Sequence, residues 1–387
     1  MRRVRIAERP NWRERATELG FAFHSPNGEV YWDESAYYAF SLAEIETEIE
    51  DAAAELDQLC RAAVARIVAD DRLLTRMAVP QKAWELIRKS WKRGDPSLYG
   101  RLAFSYRSGS PAKLLEYNAD TPTALYEAAS FQWFWLEDQL AAGKLPAGTD
   151  QFNSIHERLV GRFAELAGQG LLHLTSVAAH AEDQGTIDYI ADCARQGGFA
   201  TQLIGIGDIG LGGDGQLYDL DNRPIERLFK LYPWEWLFEE EFSRGLSTSY
   251  TAFLEPPWRA LLSNKGLLPL LWEMAPNHRN LLPAYFADDP RARSLEGNHA
   301  LKPIYSREGA NVTLVVDGRV ADSEAGGYGR EGYVVQGLAP LPSFDGNYPV
   351  IGAWMVAGHS CGVGIREDKS PITKNTSRFV PHVIEAE

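Results

Sequence analysis

The feature that most constrains the fold is a strand–helix–strand pattern between residues 171 and 206. Residues 171–175 have the composition of a strand, residues 186–196 have helical spacing, and residues 200–206 form a second strand pattern. This order predicts a βαβ unit. Together with the helical and strand-rich segments on either side, it predicts an α/β (α+β) protein.

A glycine-rich run follows the second strand of this unit. Residues 205–210 match the pattern GxGxxG. We reject this match as a dinucleotide-binding fingerprint, because the fingerprint must open a helix. Here the chain continues through further glycines into an apparent hairpin near residues 217–224. These glycines are predicted to form turns.

Two helices are predicted in the first 150 residues. Apolar residues recur at three- and four-residue spacing over residues 41–77, which predicts one long helix with a buried stripe. Ser41 and Glu44 have the spacing of a capping box at its start. A second helix is predicted to begin with Thr121 as N-cap and Pro122 as first helical residue. Its N-terminus would offer free N–H groups to an anion.

A strand over residues 113–118 leads into polar groups spaced two residues apart. Alternation along a strand puts Glu116, Asn118 and Asp120 on one side of its end. A carboxylate beside a carboxamide oxygen suits Mg²⁺ held against phosphate, and Arg101 could bind a phosphate or carboxylate. The other interpretation is a strand that runs into a polar turn, since Asn, Asp and Thr favour turns.

Composition limits the class of protein. A chain of 387 residues suggests two or three packed units. The formal net charge of -14 argues against a nucleic-acid partner. The cysteines Cys60, Cys193 and Cys361 form no CxxC pair and are expected to be buried thiols in a reducing compartment. The N-terminus lacks the apolar core of a secretory signal, and no run approaches a membrane span, so we expect a cytoplasmic protein without a membrane partner.

Short strands and glycine-rich turns follow a boundary at residues 255–257. The expected division is residues 1–254, a helical and substrate region, and residues 255–387, a nucleotide-binding region. Lys302 ends a strand before a small-residue segment that suits a lid over phosphates, although a lone lysine more often lies at the surface. Arg366, between two acidic residues, is either a structural ion-pair member or a stabiliser of charge in a transition state.

Taken together, these motifs resemble the glutathionylspermidine synthase family in its stand-alone form, without the amidase domain. The resemblance runs through ERPNW at residues 8–12, NADTPT at 118–123, KPI at 302–304, IRED at 365–368 and SRF at 377–379. It implies an ATP-grasp fold of the glutathione-synthetase-like type with a pre-ATP-grasp-like βαβ domain. It also implies a ligase that forms an amide through an acyl-phosphate, with ATP and two Mg²⁺ ions.

The resemblance assigns roles to individual residues. It makes Glu116 and Asn118 the Mg²⁺ ligands, and Arg366, with Arg101, the catalytic arginines. Thr121 matches a substrate-binding hydroxyl. The positions that match the ATP-binding residues of the family are Arg101, Lys265, Lys302, Glu308, Gly309, Gln336, Gly337, Leu338 and Ala339.

Two departures from the family pattern bear on function. The family usually has Arg-x-Asp, with the Asp a Mg²⁺ ligand, whereas this chain has Ala103; Asp120 is the nearest spare oxygen donor. Arg378 stands where polyamine-specific members have an acid, and a cation there should repel a polyamine. Glu182 and Asp183 could still keep an acidic surface for an amine.

Two functional hypotheses follow from this pattern. The first is a Mg²⁺- and ATP-dependent carboxylate–amine ligase that joins a peptide such as glutathione to an amine such as a polyamine. The second is a nucleotide-binding protein with weakened or lost turnover, with Ala103 as the cause. Both hypotheses expect small-molecule ligands and no nucleic acid, and neither specifies an oligomeric state.

Overall fold

The computed structural model describes residues 1–166, 170–177 and 181–386. Two π-helical segments, Glu44–Glu50 and Glu127–Phe131, precede α2 and α5 directly. The α-helices in the described ranges are α1 (Trp12–Glu18), α2 (Asp51–Val68), α3 (Asp71–Arg76), α4 (Gln81–Arg93), α5 (Gln132–Ala141), α6 (Ile155–Leu166), α7 (Ala181–Gln196), α8 (Trp234–Leu237), α9 (Ala260–Ser263) and α10 (Leu267–Met274).

Strands occur from the start of the described chain to its end. They are β1 (Arg2–Arg5), β2 (Ala36–Phe40), β3 (Tyr99–Ser105), β4 (Lys113–Asn118), β5 (Leu171–Ser176), β6 (Ala200–Gly205), β7 (Gly210–Leu211), β8 (Leu217–Tyr218), β9 (Arg227–Leu231), β10 (Ala252–Leu254), β11 (Ala284–Phe286), β12 (His299–Pro303), β13 (Thr313–Val316), β14 (Arg319–Ser323), β15 (Tyr333–Gly337), β16 (Tyr348–Val356), β17 (His359–Asp368), β18 (Arg378–Val380) and β19 (His382–Ile384).

The predicted βαβ unit is confirmed. Strands β5 and β6 pair in parallel, and α7 connects them in the chain. Strands β9 and β10 extend the same sheet in the order β10-β9-β5-β6. The glycine-rich run after β6 forms a short 3₁₀ turn and the antiparallel pair β7–β8. Rejection of the dinucleotide fingerprint is therefore also confirmed, because these glycines open a hairpin and not a helix.

Two helix predictions need correction. The capping box at Ser41 and Glu44 forms, with the Ser41 amide donating to Glu44 at 3.0 Å, but the predicted helix over residues 41–77 is interrupted between α2 and α3. There the Asp70 side chain accepts from the Arg72 amide and caps a new helix. The second helix begins at Leu125 and not at Thr121, because Ala124 adopts a left-handed conformation (φ 63°).

The site lies between two antiparallel five-stranded sheets. One has the order β18-β17-β16-β3-β4 and so contains strands from both sides of residue 255. The other has the order β11-β15-β12-β13-β14 and comes from the C-terminal part alone. The predicted C-terminal strands are confirmed, whereas the division of the chain at residue 255 into two domains stays a prediction.

Side-chain alternation directs one face of the first sheet towards the second. The cavity between them is lined by Arg101 and Ala103 on β3, by Gly352 on β16 and by Arg366 on β17. Gly352 is required for this packing: a Cβ there would lie 2.8 Å from Arg101 Cδ and 3.1 Å from a backbone oxygen. The absent side chain lets Arg101 lie across the neighbouring strand.

The three cysteines are buried free thiols, as expected. In the ranges that the structure covers, no helix is both long and apolar enough to cross a membrane.

Candidate functional site

A cavity of about 320 Å³ lies between the two antiparallel sheets. It brings together residues that are far apart in the sequence, because both sheets contribute alternate side chains to it. The charged and amide groups that line it are Arg101, Glu116, Lys265, Lys302, Gln336 and Arg366. Its apolar part includes Ala300, Val312, Leu314, Val316, Leu338 and Leu341. The predicted nucleotide-binding residues are thus neighbours in space.

The charge in this cavity is opposite in sign to that of the protein. Lys265, Lys302 and Arg366 are buried and Arg101 is half-buried, while Glu116 is the one carboxylate among the described residues that line the cavity. A cationic cavity in a chain of net charge -14 attracts an anion, because buried like charges are costly without a counter-charge. Burial, with nearby Arg366, lowers the pKa of the Arg101 guanidinium.

The two lysines hold Glu116 in its ionised form. Lys265 Nζ lies 3.0 Å from Glu116 Oε2. Burial acts to raise the pKa of the Glu116 carboxyl, but the Lys265 and Lys302 ammonium groups outweigh burial and lower this pKa to about 2. Burial in turn lowers the pKa of Lys302 to about 8, against the opposing attraction of Glu116.

Gln336 and Lys302 tie the two sheets together at the inner wall of the cavity. Lys302 Nζ donates to Gln336 Oε1 at 2.8 Å and to the Leu115 carbonyl at 2.9 Å. Gln336 Nε2 donates to the Leu114 carbonyl at 2.9 Å. Strands β12 and β15 are therefore attached to β4 through side chains that also face the cavity.

Residues that follow Gln336 continue the cavity wall. Gly337, Leu338 and Ala339, which the resemblance assigns to ATP binding, all line it. The Gly337 amide donates to the Pro283 carbonyl at 2.7 Å. The segment is thus held at the apolar end of the cavity, and its contact with ATP stays a prediction.

Arg366 is bound by main-chain carbonyls. Its Nε donates to the Ser377 carbonyl at 2.9 Å, and its Nη2 donates to the carbonyls of Lys374 at 3.1 Å and Asn375 at 2.9 Å. The neighbouring carboxylate of Glu367 is 2.8 Å from Arg3 instead, because adjacent strand residues face opposite sides. Main-chain carbonyls thus fix the Arg366 guanidinium at the cavity, and both interpretations of this residue stay predictions.

Glu308 and Gly309 lie between β12 and β13 and line a smaller cavity of about 180 Å³, and Gly309 also lines the cavity between the sheets. Both have positive φ, 54° and 72°. A Cβ at Gly309 would lie 2.6 Å from Ile372 Cγ2 and 2.7 Å from the Thr373 carbonyl oxygen. Glycine is therefore needed here for close approach to the segment that carries Thr373.

Glu116 and Asn118, the predicted metal ligands, both line the smaller cavity. Asn118 Oδ1 accepts from the Thr121 amide at 3.3 Å. Within the described ranges, the structure contains no cluster of three or more His, Cys, Asp or Glu side chains that could hold a metal ion. The donor set nevertheless fits Mg²⁺, which binds one or two protein oxygens together with phosphate oxygens and water.

The view of Asp120 as a spare metal ligand is wrong. Its carboxylate is buried, lies 2.5 Å from Lys230 Nζ and accepts from the Trp234 amide at 2.8 Å. Ala103 pairs with Glu116 across β3 and β4, so its methyl group faces the cavity beside Glu116. The missing carboxylate thus has no replacement from Asp120.

The three predicted substrate residues line two different cavities. Thr121 and Asp183 line the smaller cavity, where Thr121 Oγ1 accepts from Arg307 Nη1 at 2.7 Å. Glu182 lines a further cavity of about 260 Å³ with Tyr31 and Asn375. Glu182 Oε1 is buried and makes no hydrogen bond to the described part of the chain.

Arg378 does not act as a free cation near this cavity. It lies 2.7 Å from Asp33 and 2.9 Å from Glu367, and it is not among the residues that line the cavities described above. Asp33 and a Glu367 carboxylate shared with Arg3 offset its charge, and the repulsion of a polyamine by Arg378 stays a prediction.

Sequence reasoning missed two residues of the site. Arg307 lies between Thr121 and Glu235, whose Oε1 is 2.8 Å from Arg307 Nη2. Arg307 could have been predicted from the sequence, because it lies in the segment after Lys302 that suits a lid over phosphates. Tyr31, whose ring lies 5.0 Å below the Arg366 guanidinium, had no local signal. Its hydroxyl donates to Glu127, and burial, reinforced by nearby Glu182, raises the pKa of the Glu127 carboxyl to about 7.

The geometry can now be set beside known proteins. The sequence matches the family described as "Glutathionylspermidine synthase preATP-grasp" over residues 3–385. The chain belongs to the glutathionylspermidine synthase family. The resemblance inferred from the sequence motifs is thereby confirmed, and the family implies use of ATP.

Relatives of this family differ in length. A Haemophilus influenzae protein named "Putative acid--amine ligase" is 42% identical over 97% of both chains. The bifunctional glutathionylspermidine synthetase/amidase of Escherichia coli is 26% identical over 96% of this chain but 63% of its own length. The trypanothione synthetase of Crithidia fasciculata is 29% identical over 82% of this chain and 52% of its own length. This chain thus spans only part of the two larger enzymes.

A solved structure supports the fold. The apo form of a glutathione synthetase-like effector from Globodera pallida superposes with a TM-score of 0.57 and 13% identity, and 98% of each chain is covered. The predicted mixed α/β fold of the glutathione-synthetase-like ATP-grasp type is therefore confirmed.

The lysine–carboxylate contact generates a direct prediction. Replacing Lys265 by Met should raise the pKa of Glu116 from about 2 towards its ordinary value of 4.5, because the nearest cation is lost while burial remains. A carboxyl-detected NMR titration measures this change. Lys89→Met, at an exposed helix position, is the control. An unchanged Glu116 pKa in Lys265→Met would contradict the electrostatic description of the cavity.

Proposed function

We propose that this protein is an ATP- and Mg²⁺-dependent carboxylate–amine ligase that forms an amide through an acyl-phosphate. One observation carries the proposal: Lys265, Lys302 and Arg101 surround a single carboxylate, Glu116, in the cavity between the two antiparallel sheets. A polyphosphate is the ligand that neutralises such a cluster, and the apolar remainder of the cavity suits a base.

Each group has a part in nucleotide binding under this proposal. Lys265 and Lys302 are point charges for the phosphates, and Arg101 offers a planar fork to a phosphate or to the acyl group. Glu116 and Asn118 would hold Mg²⁺, which would neutralise charge on the phosphates. Residues 337–339 would border the adenine ring.

The proposed reaction has two steps, phosphoryl transfer to the acid and attack by the amine. A carboxylate oxygen of the acid substrate attacks the terminal phosphorus of ATP, the bond to the bridging oxygen breaks, and ADP leaves. The amine nitrogen attacks the acyl carbon, and inorganic phosphate leaves as the amine loses a proton. Arg366 would stabilise the negative charge that develops on the acyl-phosphate, because hydrogen bonds to three neutral main-chain carbonyls hold its guanidinium at the cavity without cancelling its charge.

The amine would enter from the side of Glu182. Among described residues, the charged groups that line this cavity are Glu29 and Glu182, both carboxylates. Asp183 adds an acidic group to the adjoining cavity. Glu182 Oε1 is a buried acceptor without a hydrogen-bond partner in the described chain, and an ammonium group could donate to it. A peptide such as glutathione and an amine such as a polyamine are the proposed substrates, in line with the names of the relatives.

A second candidate is a nucleotide-binding protein with weakened or lost turnover. The supporting observation is Ala103, whose methyl group faces the cavity beside Glu116 where the family pattern has a carboxylate. In this case the nucleotide binds, but the Mg²⁺ at its phosphates would lack one carboxylate ligand.

Product formation tests the proposal. The protein is incubated with ATP, Mg²⁺ and a panel of peptides and amines, and substrate-dependent ADP release is measured together with amide formation by mass spectrometry. We expect both products from at least one acid–amine pair. If no pair reacts with folded, nucleotide-binding protein, and Ala103→Asp then reacts, the second candidate replaces the first.

Arg366→Ala separates transition-state stabilisation from binding. We expect kcat to fall by about 10²- to 10³-fold, because an oriented donor to developing charge is lost. The Kd of a non-hydrolysable ATP analogue should change by less than about threefold, since the lost interaction forms only in the transition state. Arg291→Ala, at an exposed arginine of a 3₁₀ helix, is the control. Equal losses in kcat and analogue binding would make Arg366 a structural residue.

A further inference from the structure

The loop of residues 369–377, which joins β17 to β18, lines the cavity between the two sheets and also contacts Arg366. Pro371, Ile372 and Thr373 line the cavity. The same loop supplies three carbonyls to the Arg366 guanidinium, from Lys374, Asn375 and Ser377. The position of the arginine therefore depends on the position of this loop.

The other side of the cavity is covered by the hairpin β13–β14, which we call the cover hairpin. Leu314, Val316 and Ala321 of the hairpin line the cavity. Strand β14 is the edge of its sheet, and Val320 near its start is 65% exposed. An edge hairpin joined to the sheet on one side can shift as a unit more easily than a central strand.

Two side-chain contacts join the cover hairpin to the 369–377 loop. Ser370 Oγ donates to Asp322 Oδ2 at 2.6 Å, and Lys374 Nζ lies 2.5 Å from Glu324 Oε2. Glu324 follows β14 directly, and its amide still donates to the Val312 carbonyl at 3.0 Å. Glu324 therefore moves with the hairpin.

Lys374 is the residue at which these two sets of contacts meet. We propose that Lys374 is a positioning residue: its ammonium group binds the cover hairpin through Glu324, while its carbonyl oxygen holds Arg366. Placement of the hairpin over the cavity then sets the placement of the arginine. The significance of Arg366 for catalysis rests on the proposed function, but the mechanical link does not.

The internal bonds of the loop make this link stiff. The Lys374 amide donates to Ser377 Oγ at 2.8 Å, and the Ser377 amide donates to the Lys374 carbonyl at 3.1 Å. Ser377 Oγ in turn donates to Asp368 Oδ2 at 2.7 Å. A shift of Lys374 is therefore passed to the carbonyls that bind Arg366, rather than absorbed within the loop.

The experiment compares four variants of the full chain. Lys374→Met and Glu324→Gln each remove the ion pair, and the double variant Lys374→Glu/Glu324→Lys restores it with reversed charges. Lys369→Met is the matched control, because Lys369 lies in the same loop and donates to the Asp345 carbonyl at 3.4 Å. The first readout is the Arg366 Nε–H resonance in ¹⁵N NMR, assigned by its loss in Arg366→Lys.

We expect the Arg366 resonance to shift or broaden in both single variants and to return in the double variant. Amide exchange at residues 374–377 should become up to about fivefold faster in the single variants, the range for a partly exposed ion pair. The control should match the wild type in both readouts. An unmoved Arg366 resonance in Lys374→Met and Glu324→Gln would overturn the proposal, whatever the exchange rates.

Turnover separates this inference from the proposed function. With a reacting acid–amine pair, Lys374→Met should lower kcat about three- to tenfold with a smaller change in the KM for ATP, because Arg366 acts in the transition state. The charge-reversed pair should recover kcat. If no pair reacts, the ligase proposal fails, and the NMR comparison still decides whether Lys374 positions Arg366.

Discussion

The convergence of cations on one carboxylate between two sheets is the interaction on which the rest of this structure depends. Removing like charges from water is costly, and Glu116 compensates only part of the charge of Lys265, Lys302 and the two arginines. Burial and the neighbouring charges together set both the low pKa of Glu116 and the lowered pKa of Lys302. A bound polyanion would compensate the remaining positive charge, and ATP, whose use the family implies, carries such a polyanion.

The fold brings this cluster together through strand periodicity. Alternate residues of β3, β16 and β17 face the cavity, and those of β12 and β15 approach from the opposite sheet. Because one sheet contains strands from both ends of the chain, its assembly depends on long-range pairing. Gly352 and Gly309 remove side chains at the two places where backbone or Arg101 must approach closely. The adjoining loop of residues 369–377 then links the cover of the cavity to Arg366.

Local signals in the sequence predicted the features that depend on neighbouring residues. The βαβ unit, the capping box at Ser41 and the turns of the glycine run were of this kind. The sequence did not predict the helix break at Asp70 or the left-handed Ala124, since a polar cap and a single backbone conformation override helical spacing. The pairing of Asp120 with Lys230, 110 residues away, had no local signal. The resemblance to a family identified Lys265 and Leu338, which line the cavity, because it carries the long-range information that spacing lacks.

Calorimetric titration with Mg²⁺ and the non-hydrolysable analogue adenylyl-imidodiphosphate tests the central claim most directly. The account predicts that the analogue binds far more tightly than adenosine, because the phosphates carry the charge that the cavity requires. Its affinity should fall about tenfold from pH 7 to pH 9, since Lys302, with a pKa of about 8, loses its proton in the free protein over this interval. Equal affinity for adenosine and the analogue, with no dependence on pH, would contradict a polyphosphate site between the two sheets.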